Sequence, residues 1–186
     1  MVVSMPKLLA TLLLITLSQA GCNVESASEG AAAAPEDKST TLITQAKAVH
    51  ASALTIDAHA DIEIPGKPSM YVGADGLSRV SPAKMHAGGL DAVVMSLAVG
   101  PMPRNPEGYA AAKALAQAKL AAVNALANDP VNNAIIVQTT EELQTAQTEG
   151  KAALILGFQN ALILGTNTTG IDELYDSGVR VFALTH

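Results

Sequence analysis

The chain lacks the features that would link it to nucleic acids or to a disulfide-rich scaffold. Its 186 residues include a single cysteine and no tryptophan, and aromatic residues make up only 3%. One cysteine allows no internal disulfide. Charged residues are 15% of the chain, the formal net charge is −6, and no basic stripe is present, so nucleic-acid binding has little support.

Apolar sequence, in contrast, is abundant. Hydrophobic residues make up 49% of the chain, which excludes an intrinsically disordered protein. A length of 186 residues allows one domain of ordinary size with a buried core. We therefore expect closely packed helices and strands in most of the chain.

Residues 1–22 are typical of a bacterial export signal. Lys7 precedes an apolar run, Leu8 to Leu17, that is too short to span a bilayer comfortably. Ser18-Gln19-Ala20 fits a cleavage site for simple secretion, whereas Ala20-Gly21-Cys22 resembles a lipobox. We favour lipidation because the only cysteine, Cys22, lies where lipidation requires it. The protein is expected to be exported, either periplasmic or held to the membrane by a lipid anchor.

Residues 23–41 are rich in Ser, Ala, Glu and Gly and contain Pro35. This composition is typical of a flexible linker. Residues 42–186 are therefore expected to form the folded part.

Within that part, segments with strand and helix patterns alternate along the chain. The predicted strands are Leu54–Asp61, Ala92–Ala98, Ala134–Val137, Ala152–Gly157 and Val179–Leu184. The predicted helices are Thr41–Ala53, Glu107–Asn128, Thr139–Thr148 and Ile171–Ser177. Such alternation predicts an α/β fold with parallel strands, either a (β/α)₈ TIM-type barrel or an open doubly wound sheet.

Two observations favour the barrel. No Gly-rich phosphate loop follows the first strand, as a nucleotide-binding sheet would require. Polar residues follow several strands, and the carboxyl ends of the strands are where a barrel assembles its chemistry. These residues are His59 and Asp61, Gln159 and Asn160, and Thr185 and His186.

The first strand ends in a His-x-Asp triplet. Side chains alternate along a strand, so His59 and Asp61 are predicted to leave the backbone on the same side. Imidazole and carboxylate are common ligands of zinc, so the pair could bind one cation. Alternatively, the triplet is a chance sequence in a loop or makes a structural hydrogen bond. The Gly- and Pro-rich stretch from Ile62 to Ser81 then either covers a substrate or acts as a spacer.

The strand count is low for a closed barrel, which needs eight strands and about 250 residues. An open half-barrel would expose two long strand edges. We therefore expect this sequence to be the amino-terminal half of a longer barrel protein, inactive when produced alone.

Three segments resemble the membrane dipeptidase (renal dipeptidase) family of zinc peptidases. The first, Ile56-Asp57-Ala58-His59-Ala60-Asp61, is similar to the family's first strand with its metal pair. The second, Leu154-Ile155-Leu156-Gly157-Phe158-Gln159, is similar to the strand that presents a metal-bridging glutamate. The third runs from Tyr175 to His186 and contains the Gly178, Arg180 and Leu184-Thr185-His186 of a family motif.

The resemblance implies a barrel enzyme that hydrolyses dipeptides with two zinc ions. It assigns His59 and Asp61 as metal ligands and His186 as a substrate contact that stabilises the tetrahedral intermediate. Asp61 could also move the proton, and two further histidine ligands would lie beyond His186. Gln159 departs from the family's glutamate, and its neutral carboxamide puts the second zinc in doubt. A homodimer is a further expectation.

Two other functions remain open. One is another amidohydrolase-type metal hydrolase, since His-x-Asp after a first barrel strand is shared with that wider group. The other is a non-catalytic lipoprotein that binds peptides in a degenerate barrel, which Gln159 would favour.

Overall fold

The computed structural model describes residues 38–186. The predicted export signal, lipidation at Cys22 and the linker up to residue 37 lie outside this range. The helices are α1 Lys38–Ser52, α2 Pro82–Gly88, α3 Pro106–Asn128, α4 Thr140–Thr148 and α5 Thr169–Asp176. The strands are β1 Ile56–Asp61, β2 Ala92–Ser96, β3 Ala134–Val137, β4 Ala152–Gln159 and β5 Val181–Ala183. Short 3₁₀ turns lie at Pro130–Asn132 and Ala161–Leu164.

All strand pairs in the sheet are parallel, which confirms the predicted α/β class. The neighbour order is β1, β2, β4, with β3 and β5 both pairing with β4. β3 runs beside the first half of β4, where Val137 is opposite Ile155. β5 runs beside the end of β4, where Gln159 is opposite Ala183. β3 is therefore an extra strand at the amino-terminal edge and does not separate β2 from β4.

The main core lies on one face of the sheet. Alternate residues of β2 and β4 point to this face, since successive side chains of a strand lie on opposite faces. They pack with α3 and the segment before β5, and the largest of them are Val93, Met95, Leu154, Leu156 and Phe158, with Leu97 adjoining them directly after β2. The opposite face is covered at its amino-terminal end by α4, through Leu143 and Ala146 against Ala92 and Ala153.

Helix α3 packs on the sheet through small residues. The sequence pattern predicts an apolar face through Leu115, Ala118, Ala122 and Leu126. The fully buried positions are instead Gly108, Ala112, Ala116 and Val123, while Ala118 is exposed. Small side chains let the helix backbone approach the sheet closely, so the alanine face is buried and the leucines pack at its margins.

Helix α1 differs from the prediction in its start and its burial. It begins at Lys38, so residues 38–41 belong to the helix and not to the predicted linker. Ser and Thr residues are favoured at helix starts, which explains why polar composition misplaced this boundary. No residue of α1 is buried, and Leu42 is 64% exposed. Within residues 38–186, no helix is long and apolar enough to cross a bilayer.

Local signals explain the other element ends. Thr139 and Glu142 form a complete capping box at the start of α4, as the sequence pattern indicates. Gly150 follows this helix with φ of +65°, a conformation that favours glycine. Helix α2 has only seven residues and was not predicted, because so short a helix shows no clear period.

The amino-terminal ends of β1 and β2 are joined by side chains. The backbone N–H of Thr55 donates to Asp91 Oδ2 at 2.7 Å, and the N–H of Asp91 donates to Thr55 Oγ1 at 3.1 Å. These bonds hold the two strands together at the end opposite the predicted site.

Candidate active site

Two neighbouring cavities lie at the carboxyl-terminal edge of the sheet. The larger cavity has a volume of about 420 Å³ and is lined by the loop after β1, the end of β2 and part of α3. The smaller cavity has a volume of about 290 Å³ and is lined by β1, the same loop and the ends of β4 and of the chain. They share four residues, namely Asp61, Glu63, Tyr71 and His186.

The four site residues predicted from the sequence all line the smaller cavity. These residues are His59, Asp61, Gln159 and His186. Strand register explains the convergence, since Asp61 is opposite Ser96, and Ser96 is opposite Gly157, two residues before Gln159. Parallel strands end at the same edge, so residues that follow them meet there although they are far apart in sequence.

Strand β1 is irregular at the histidine. The pairing of β1 with β2 shifts register between Asp57 and Ala60, as in a β-bulge. The backbone N–H of His59 donates to Asp57 Oδ1 at 3.0 Å, which supports the bend. The plain alternation predicted from the sequence is therefore interrupted, although His59 and Asp61 still line the same cavity.

Asp61 is held by an ion pair that the sequence did not indicate. Lys119 Nζ of α3 lies 3.2 Å from Asp61 Oδ1, and the two side chains are only 13% and 22% exposed. A partly buried pair of this kind is screened less by solvent than a surface pair. One oxygen of the carboxylate is therefore already engaged by a cation.

Gln159 ends β4, and the residue after it holds the strand in place. Asn160 has φ of +84°, which is rare for a residue other than glycine. Its Nδ2 donates to the carbonyl oxygen of Val99 at 3.1 Å, and its Oδ1 accepts the N–H of Leu162 at 3.1 Å. Asn160 thus connects the carboxyl ends of β2 and β4 beside the cavity, a role that sequence reasoning missed.

The loop from Ile62 to Ser81 forms walls of both cavities. Tyr71 lines both, while Lys67 lines the larger and Arg79 the smaller. Its tip is held by Lys84 of α2, whose Nζ lies 2.9 Å from Asp75 Oδ2. The hydrogen bond from Lys84, followed by that from the Leu77 N–H, lowers the pKa of Asp75 below its usual value.

Between Tyr175 and Arg180, the segment that leads to His186 makes contacts that hold the turn before β5. Arg180 stacks over the ring of Tyr175 at 4.0 Å and donates to the Tyr175 carbonyl oxygen at 2.9 Å. It also binds Gln138 Oε1. Gly178 has φ of +99°, and a side chain there would crowd Gln138 and Leu156. These contacts fix the turn from α5 into β5 and so position the residues that follow.

His59 and Asp61 are residue types that bind metal ions, but two such donors are too few for a complete metal site. His59 supplies a nitrogen donor and Asp61 an oxygen donor, both at the smaller cavity. Within residues 38–186, no group of three or more His, Cys, Asp or Glu residues is placed to hold a metal ion. Gln159 brings a neutral oxygen where an anion would bind a cation more strongly.

Two buried side-chain oxygens near the site have no hydrogen-bond partner among the described residues. They are Glu63 Oε1, in a residue that lines both cavities, and Ser96 Oγ, on β2 opposite Asp61. Sequence reasoning identified neither. Glu63 continues the spacing of His59 and Asp61 by two residues, which is the one signal that could have indicated it.

Several crystal structures share this fold. The probable dipeptidase PvdM from Pseudomonas aeruginosa aligns with 79% of this chain at a TM-score of 0.68 and 20% identity. An amidohydrolase from Pseudomonas aeruginosa aligns with 75% of the chain at a TM-score of 0.56 and 20% identity. The metallopeptidase called dipeptidase AC aligns with 70% of the chain at a TM-score of 0.58 and 16% identity. The parallel half-barrel is therefore confirmed as part of a TIM-type architecture.

The aligned region is only part of each of these proteins, with shares of 38%, 36% and 42% of their lengths. Among curated protein sequences, none matches the chain. A sequence profile described as membrane dipeptidase (peptidase family M19) matches residues 43–186, a range that contains all four predicted site residues. The resemblance noted from the three motifs is confirmed, and the chain belongs to the membrane dipeptidase family.

Proposed function

We propose that the protein hydrolyses dipeptides with zinc, and that this chain supplies one wall of the active site. A single observation carries the proposal. His59, Asp61, Gln159 and His186 come from three different strand ends and line one cavity in a member of a dipeptidase family. Convergence of this kind at the carboxyl edge of a parallel sheet is typical of catalytic sites.

In this proposal His59 and Asp61 hold a zinc ion together with donors that residues 38–186 do not provide. When bound, zinc acts as a Lewis acid on a carbonyl group and makes water acidic near neutral pH. Because Lys119 engages Asp61 Oδ1, the other oxygen of Asp61 is the one free to bind a metal without displacing the lysine.

The remaining residues act on the substrate. His186, which lines both cavities, donates a hydrogen bond where negative charge develops on the peptide carbonyl oxygen. The proton that moves during hydrolysis is accepted and returned by the Asp61 oxygen that faces Lys119 or by another acidic group. The loop from Ile62 to Ser81 covers the bound dipeptide and limits access of water to it.

Zinc content of the full natural chain, with dipeptide hydrolysis measured on the same preparation, tests the proposal. Two zinc ions per chain would mean that Gln159 permits a binuclear site, and one would mean a mononuclear hydrolase. The double variant His59→Ala/Asp61→Ala is expected to lose zinc and at least about 10²-fold in kcat/KM. The matched control is His86→Ala, an exposed histidine of α2 that lines neither cavity.

One alternative function has a specific observation in its favour. Gln159 is neutral, and no three-ligand group forms within residues 38–186, so a peptide-binding protein without catalysis would also use these cavities. If the zinc-supplemented protein binds no zinc but retains dipeptides, this alternative replaces the enzyme. Hydrolysis of amides other than dipeptides would instead point to the wider amidohydrolase-type group.

A further inference from the structure

We propose that Glu63 binds the α-ammonium group of the peptide substrate. The inference rests on the function proposed above and adds to it a preference for substrates with a free amino terminus. Glu63 lies two residues beyond β1 and lines both the larger and the smaller cavity. Its Oε1 atom is buried and has no hydrogen-bond partner among the described residues. A buried carboxylate oxygen without a donor is unfavourable, so this position calls for a cationic or hydrogen-bonding ligand.

The charges around the cavities single out Glu63. Asp61 also lines both cavities, but its carboxylate is already paired with Lys119 at 3.2 Å. Asp57 lines only the smaller cavity, and its Oδ1 accepts the N–H of His59. Of the two carboxylates shared by the cavities, Glu63 is therefore the one whose charge a ligand can neutralise.

An ammonium group suits this position better than a metal ion. Glu63 supplies a single unpartnered oxygen, whereas a metal ion needs several protein donors at one point. An ammonium needs only a few acceptors and is also attracted to aromatic rings. Tyr71 lines the same two cavities as Glu63 and supplies such a ring. Glu63 and Tyr71 together therefore form a site for an organic cation.

The shape of the region agrees with a small zwitterionic ligand. The larger cavity, at about 420 Å³, is within the size range of small-molecule sites. Lys67 lines this cavity and Arg79 lines the smaller one, so a cationic side chain is present in each cavity that Glu63 lines. A dipeptide carries opposite charges at its two ends, and the region offers Glu63 to its ammonium end and a cationic side chain to its carboxylate end.

The test uses Glu63→Gln in the full natural chain with a dipeptide and its N-acetylated form. Gln keeps the shape of the side chain and removes its charge. For the free dipeptide we expect kcat/KM to fall about 10- to 100-fold, mainly through KM, as expected for a hydrogen bond between charged groups. For the N-acetylated dipeptide we expect no change. Glu63→Asp, which retains the charge, should recover part of the loss.

Three further measurements make the result decisive. Equilibrium binding of a non-hydrolysable dipeptide analogue, with and without an N-acetyl group, should show the same discrimination as the kinetics. Thermal unfolding of the ligand-free Glu63→Gln protein should occur at the same temperature or higher, because the carboxylate whose Oε1 has no partner among the described residues is replaced by a neutral group. Glu107→Gln changes an exposed glutamate of α3 that lines neither cavity, and it should behave as the unaltered protein.

Failure of this inference is distinguishable from failure of the proposed function. If the unaltered protein cleaves no dipeptide, the proposed function fails, and the binding measurement still decides the role of Glu63. Equal losses for the free and acetylated ligands, or no loss for either, would overturn the ammonium role. Loss of zinc from Glu63→Gln would also overturn it, because Glu63 would then be a metal ligand.

Discussion

Among single residues, Lys119 decides how available Asp61 is to a metal. Its ammonium group lies 3.2 Å from Asp61 Oδ1, and both side chains are largely buried. In the proposed site, zinc would share this carboxylate with the Lys119 ammonium group or displace it. The proposed metal centre would then be tuned by a residue of α3 that binds no metal itself.

Replacing Lys119 with Met should raise zinc affinity about fivefold, since an ion pair of about 1 kcal/mol no longer competes for Asp61. Zinc titration of the metal-free protein, followed by calorimetry, measures this change. Lys113→Met is the matched control, because Lys113 lies on the same helix and pairs with Glu173 at the surface. Weaker zinc binding in Lys119→Met would show that the lysine supports the metal site.

The sequence predicted the residues that follow strands but not those that reach the site from elsewhere. His59, Gln159 and His186 were predicted because polar residues at the ends of buried strands of a parallel sheet converge on one edge. Lys119 is separated from Asp61 by 58 positions and lies on a helix whose buried face was predicted incorrectly. Glu63 lies in a loop, and loops have no hydrophobic periodicity from which side-chain positions can be predicted.

At the level of elements, the connection after β4 is held by one asparagine in an unusual conformation. Asn160, with φ of +84°, makes side-chain bonds to both the end of β2 and the following 3₁₀ turn. Strained backbone of this kind persists where surrounding contacts over-determine it, and such positions cluster at functional sites. Here it follows directly after Gln159.

Asn160→Ala is expected to lower the free energy of unfolding by about 2 kcal/mol, through two lost hydrogen bonds and an unfavourable backbone angle. Urea denaturation measures this change. Asn160→Gly should be less destabilised than Asn160→Ala, because glycine tolerates positive φ. Asn124→Ala, on an exposed face of α3, should change stability by less than about 0.5 kcal/mol. Equal instability of the Gly and Ala variants would show that the positive φ at position 160 contributes no backbone strain.

Element types were predictable where a segment was long or strongly patterned. β3, with bounds Ala134–Val137, agrees with its prediction residue for residue, and the capping signal at the start of α4 is present. The order of the strands in the sheet was not predictable, because β3 and β5 pair with the same side of β4. β3 lies beside its first half and β5 beside its carboxyl-terminal end. That arrangement depends on the length of β4, which extends two residues beyond its predicted end at Gly157.

On the scale of the whole molecule, the folded part is a half-barrel that belongs to a family of membrane dipeptidases. The alternation of strands and helices predicted the α/β class with parallel strands, the polar residues after the strands favoured the barrel, and three motifs indicated the family. The export signal and the lipid on Cys22 lie outside the described residues and stay predictions. If both predictions hold, we expect the cavities to work at a membrane surface.

Cys22→Ser should move the protein from the membrane fraction of the producing bacterium to the soluble periplasmic fraction. Acyl chains stabilise membrane attachment by about 0.8 kcal/mol per buried CH₂ group, and the serine variant carries none. Fractionation combined with labelling by a radioactive fatty acid measures both effects. Ser26→Ala, in the predicted linker, serves as the control and should stay with the membrane. An unlabelled, soluble parent protein would establish simple secretion in place of lipidation.

The pairing of the strands also determines which side of the site loses more conformational entropy when a ligand binds. Within residues 38–186, β4 has a partner strand on each side along most of its length, whereas β1 pairs only with β2 and contains a bulge. We therefore expect the backbone at Gln159 to lose less conformational entropy on ligand binding than the backbone at His59. Ligand binding should therefore order mainly the β1 side, and the affinity of this site depends on how strongly that strand is already restrained.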